Sequence, residues 1–60
     1  MSAEKNQQKI DKLLAVARRS TDPDSLWQIA GELQGLGAWN EAHEVEGLAR
    51  QAERSMAEEA

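Results

Sequence analysis

The chain has 60 residues, 40% hydrophobic and 30% charged, with a formal net charge of -4, no cysteine, and Trp27 and Trp39 as its only aromatic residues. Such a length holds one small domain, residues 1–60, that buries only about 60% of its unfolded surface. Without cysteine it has neither a disulfide framework nor a thiolate metal site to staple it. No apolar run approaches the roughly 20 residues that span a bilayer. The polar start Ser2-Ala3-Glu4-Lys5-Asn6 lacks the hydrophobic core of a signal peptide, which predicts a cytoplasmic setting.

The spacing predicts an all-α fold of three short helices, the first from about Glu4 to Arg19. Ile10, Leu13, Leu14 and Ala17 form its apolar stripe, with Val16 on the edge and Ser2 placed to cap it. Lys5, Lys9, Lys12 and Arg19 make a candidate basic stripe. Residues 1–20 carry an excess of positive charge. Residues 21–47 hold Asp22, Asp24, Glu32, Glu41, Glu44 and Glu46 without a single lysine or arginine. This asymmetry predicts that the first helix neutralises the other two within the fold or across a dimer.

Pro23 lacks the donor that a continuing helix needs, but its fixed backbone suits a first helical turn. Asp22 is therefore the expected N-cap of a second helix over about 23–36, on which Leu26, Ile29, Ala30, Leu33 and Leu36 recur at helical spacing. Arg18 and Arg19 before this break, and Asp22 and Asp24 after it, complement the two helix dipoles. Gly35 and Gly37 mark a tight turn. A third helix is expected over about 39–56, capped by Asn40, with Ala38, Ala42, Val45, Ala49, Ala52 and Met56 spaced as a seam of mostly small side chains, and with fraying over 57–60. The second and third helices should fold back as an antiparallel hairpin packed with the first.

Residues 26–49 resemble a single tetratricopeptide repeat, a helical hairpin of about 34 residues with side-chain sizes fixed at set offsets. Leu26 takes the place of the usual tryptophan, Ile29 and Ala30 that of the leucine-glycine pair, and Leu33 that of the tyrosine. Gly37 matches the turn glycine, Trp39 the aromatic that opens the second helix, and Ala42 and Ala49 its small residues. Glu46 and Arg54 depart from the pattern, standing where a bulky apolar residue and a proline are usual. The resemblance implies a protein-binding hairpin; an unrelated three-helix bundle with the same sizes predicts a similar hairpin. On both readings Leu26, Ile29, Ala30, Leu33, Gly37, Trp39, Ala42, Val45 and Ala49 are structural, with Trp39 covered by the turn.

Signs of catalysis are missing. His43 is the sole histidine, so one chain cannot form a two-histidine metal site, and residue 40 is asparagine where a Glu-x-x-His step needs glutamate. No serine has an arranged base, and no glycine-rich phosphate loop occurs. These features predict neither enzyme activity, nor a catalytic or metal site, nor a cofactor. Three helices with a glycine turn also describe a helix-turn-helix domain. However, the helix that would enter the groove begins with Glu41, Glu44 and Glu46, where a base reader needs donors.

Trp27, with Gly31 as a notch beside it and Gln34 on the same side, is the candidate partner-binding site, because tryptophan is enriched among interface anchors. The sequence thus predicts a non-enzymatic protein–protein interaction module, a small adaptor or inhibitor that docks a helix face onto another protein, with its own copy (a homodimer) among the candidates. The alternative is a nucleic-acid-associated regulator that touches phosphate through its basic first helix.

Overall fold

A computed structural model describes the backbone of residues 2–59 and the side chains of residues 5–58. It contains three helices, α1 (Ser2–Arg19), α2 (Pro23–Gly35) and α3 (Trp39–Glu59), and no strand among the described residues. The fold is all-α. The cap expected at Ser2 lies outside the described side chains.

The hairpin of α2 and α3 is the main contact between helices, and its inner faces hold the three largest fully buried side chains, Leu26, Leu33 and Val45. Burying each stabilises the fold by about 1.5 to 3 kcal/mol. Around them pack Ile29 and Ala30 from α2 and Ala38, Ala42 and Ala49 from the α3 seam. Because most α3 seam positions are alanine, the two helices can approach closely, and leucines from α2 fill the space that larger α3 side chains would have taken. The helix α1 adds only Ile10 and Ala17 to the buried set, with Leu13 and Leu14 half-buried against it.

Each bend has a local cause. Asp22, in an extended conformation, accepts from the backbone N–H of Asp24 at 3.3 Å and from the Ser25 hydroxyl at 3.0 Å, and Pro23 opens the helix with its ring buried. At the other end α2 closes in a Schellman motif. Gly37 N–H donates to the Gln34 carbonyl at 3.0 Å, and Ala38 N–H reaches back to Leu33 O at 2.9 Å. This geometry needs a left-handed residue, and Gly37 supplies it with φ of 80°. Buried Ala38 then covers the end of α2.

The C-terminal ends of two helices and one cap differ from the sequence reading. Helix α2 ends at Gly35, with Leu36 as its half-buried cap. Helix α3 begins at Trp39, so Asn40 lies inside its first turn and is not the N-cap; the carbonyl of Ala38 accepts the first helical bond, from Ala42 N–H at 2.9 Å. Helix α3 also continues beyond Met56 to Glu59, and residues 57–59 are helical. Unbranched glutamate, arginine, methionine and alanine dominate this stretch and favour helix even where nothing packs against it.

The helix α1 runs antiparallel to α2 across one side of the hairpin. Its Lys9, Lys12 and Leu13 meet Glu32, Gly35 and Leu36, and its Ala17 shares a cleft with Leu26, Leu48 and Ala52. Arg18 Nη2 reaches Glu44 Oε2 at 3.3 Å and ties the end of α1 to α3. The molecule measures 47 × 17 × 13 Å. A straight helix of the length of α3 spans only about 31 Å, so the helices are staggered. The α3 seam is buried through Ala49, half-buried at Ala52 and 57% exposed at Met56, since α2 has no residues left to oppose it there.

Candidate interaction surface

One side of the hairpin is covered by α1, and the opposite side is open. On that open side α2 presents Trp27, Gly31 and Gln34, spaced four and three apart and therefore on one line along the helix. Against them α3 presents Trp39, His43, Glu46 and Arg50 at the same alternation of four and three. Contacts across the hairpin confirm that the two lines lie side by side. Gln34 Nε2 donates to Glu46 Oε2 at 2.9 Å, and the Arg50 guanidinium lies over the Trp27 ring, 6.0 Å from its centre. His43 Nδ1 lies 3.4 Å from the other Glu46 oxygen.

Glu46 is the pivot of this arrangement, with a side chain only 17% exposed. The Gln34 amide on α2 donates to it and the His43 imidazole on α3 lies beside it, so this half-buried position holds a bonded carboxylate. This polar clasp fixes α2 and α3 in register without closing the surface above it. The Arg50–Trp27 contact is worth about 0.5 to 1 kcal/mol at an exposed site.

Trp27, Gly31 and Gln34, singled out from the sequence, are brought together, and all three are exposed. Trp39 corrects the sequence reading: it is 60% exposed, the turn does not cover it, and it stands on the same open side as Trp27. Its ring falls on the 39-43-46-50 line because Trp39 is itself the first residue of α3. Arg50, His43 and Glu46 are neighbours of the Trp27 line that local sequence pattern alone does not reveal. The 4-3 spacing from Trp39 could have revealed them, once the hairpin register was known.

The remaining structural positions fall as expected. Leu26, Ile29, Ala30, Leu33, Ala42, Val45 and Ala49 are buried. Gly37 makes the turn. All four cations of the basic stripe are exposed, and Lys9 and Lys12 also line a shallow apolar cleft with Leu13, Leu36, Gly35 and Glu32. That cleft adjoins the C-terminal end of α2, which has no basic residue in its own last turn, so two lysines of α1 sit where the helix dipole favours a cation.

Among the described residues no group of three or more His, Cys, Asp or Glu side chains could hold a metal ion, and no helix is long and apolar enough to cross a membrane. The chain matches no protein-family model, and comparison with curated proteins and with solved structures finds no significant match.

Proposed function

We propose that this protein is a non-enzymatic interaction module, a small cytoplasmic adaptor or inhibitor that docks onto a protein partner through the open side of its helical hairpin. The observation that carries this reading is the placement of both tryptophans on that one side, Trp39 at 60% exposure and Trp27 at 36%, in a domain whose other large side chains are mostly drawn into the core. Tryptophan leads the residues whose truncation costs most at interfaces, because a rigid ring hides much apolar area with little loss of side-chain freedom. Polar groups between the two rings, Gln34, Glu46, His43 and Arg50, supply donors and acceptors that give a docking partner orientation as well as area.

Phosphate binding through α1 has weaker support. Two of its four stripe cations, Lys9 and Lys12, share a cleft with Glu32, and the acidic residues Glu41 and Glu44 stand on α3.

An affinity capture from extract of the cells that make the protein tests the reading, using the parent chain beside Trp27→Ala and Trp39→Ala. The expected result is a protein retained by the parent and released by both variants while their circular dichroism stays that of the parent. Retention unaffected by either change overturns it.

A further inference from the structure

The open-side line of α3, exposed at every position but half-buried Glu46, has a property that a docking face for an unrelated protein does not need. Carried on toward the end of the helix it reads Trp39, His43, Glu46, Arg50, Glu53 and Ala57, spaced four, three, four, three and four. This spacing is the same in both directions. Run the line against its own reverse, and each group meets its complement: Trp39 meets Ala57, His43 meets Glu53, and Glu46 meets Arg50.

We propose that the open side of the hairpin pairs with a second copy of this chain, α3 against α3 antiparallel, about an axis midway between Glu46 and Arg50. The proposal rests on the docking reading above and names its partner. A two-fold interface requires each surface to be its own complement, residue i meeting j while j meets i. Six positions along α3 meet that requirement in one register. Two of the three contact types pair a carboxylate with a basic side chain, and the third sets the most exposed large apolar ring on an alanine. That last contact leaves room for the indole and hides it at both ends of a helix pair about 27 Å long. In this arrangement the two central charge pairs set direction and register, because a parallel or shifted pairing brings like charges together. The four outer and flanking tryptophans supply the affinity.

The charge pattern gives a direct test by sedimentation equilibrium, with circular dichroism on the same samples. The parent is expected to dimerise. Arg50→Glu puts carboxylate against carboxylate twice, and Glu46→Arg puts cation against cation twice, so each alone should raise the dimer dissociation constant on the order of tenfold. An equimolar mixture of the two variants should restore association as a heterodimer. A mixture no tighter than either variant alone overturns the proposal, as does a parent that remains monomeric to its solubility limit.

Because Glu46→Arg also removes the Gln34 contact, cysteine pairing offers a second measurement that keeps the Gln34–Glu46 hydrogen bond in a chain with no cysteine of its own. Under mild oxidation a His43→Cys chain should form a disulfide with a Glu53→Cys chain, and much less with itself, since two copies of position 43 stand about 15 Å apart along an antiparallel pair. Preferential 43-to-43 bonding overturns the antiparallel register. A monomeric parent whose Trp-dependent capture of another protein persists would end the second-copy proposal alone; loss of both ends the docking reading as well.

Discussion

The two sides of the α2–α3 hairpin differ in what holds them. The side toward α1 is closed by packing, with Leu13 and Leu14 half-buried against the core and the Arg18–Glu44 contact at its edge. The open side is closed by nothing, yet it carries both tryptophans and the Gln34–Glu46 and Arg50–Trp27 contacts. A chain this small has few large side chains to spare for its core. Trp39 stands largely outside and Trp27 is 36% exposed, apolar area that the isolated fold leaves uncovered. The difference separates positions that make the hairpin from positions that the hairpin displays.

Replacing core residues should unfold the molecule. Leu33→Ala is expected to cost about 2 to 4 kcal/mol, since the side chain is fully buried between both hairpin helices and its removal leaves a cavity. In a domain of marginal stability, denaturant titration should show that much of the protein is unfolded in buffer. A midpoint equal to the parent's would mean that Leu33 is not core and that the hairpin register is wrong.

The turn comes next. At φ of 80°, Gly37→Val forces a β-branched residue into the left-handed region and should cost roughly 1 to 3 kcal/mol by strain alone, although open space surrounds the position. Asp22→Ala removes the acceptor for Asp24 N–H and for the Ser25 hydroxyl, with an expected loss of about 1 kcal/mol in thermal unfolding. Gly47→Ala should act the other way. Its position is helical, exposed and free of any neighbour within 4 Å, so adding a methyl group should stabilise the helix by about 0.5 to 1 kcal/mol. Equal effects at Gly37 and Gly47 would remove the glycine turn as the hinge of the hairpin.

The interior of the hairpin was largely legible in the sequence, because burial leaves a period that one chain displays without a partner. Leu26, Ile29, Ala30 and Leu33 repeat on one face of α2, Ala42, Val45 and Ala49 repeat on α3, and all of them are buried. Asp22 before Pro23 announced the start of α2 by chemistry that acts within three residues. The open side was legible only in part. Trp27, Gly31 and Gln34 share a face of α2 by spacing alone, but their neighbours on α3 depend on how the two helices are set against each other, which local rules do not fix. Trp39 was misplaced for the same reason. A misassigned cap is harmless to the helical assignment of α3, whereas whether the ring lies under the turn or out in solvent depends on tertiary packing. The side that α1 would cover could not be read from its amphipathic stripe, which says that the helix needs a surface and not which one.

The claim that fold and display are separate is tested most directly by Trp39→Ala, measured by thermal unfolding and sedimentation equilibrium on the same preparation. The account predicts a stability within about 0.5 kcal/mol of the parent, as for a surface position, unchanged helicity, and a clear loss of association. A variant that melts as early as Leu33→Ala would place Trp39 in the core and contradict the account, and one that keeps both its stability and its association would show that the open side is not the contact surface.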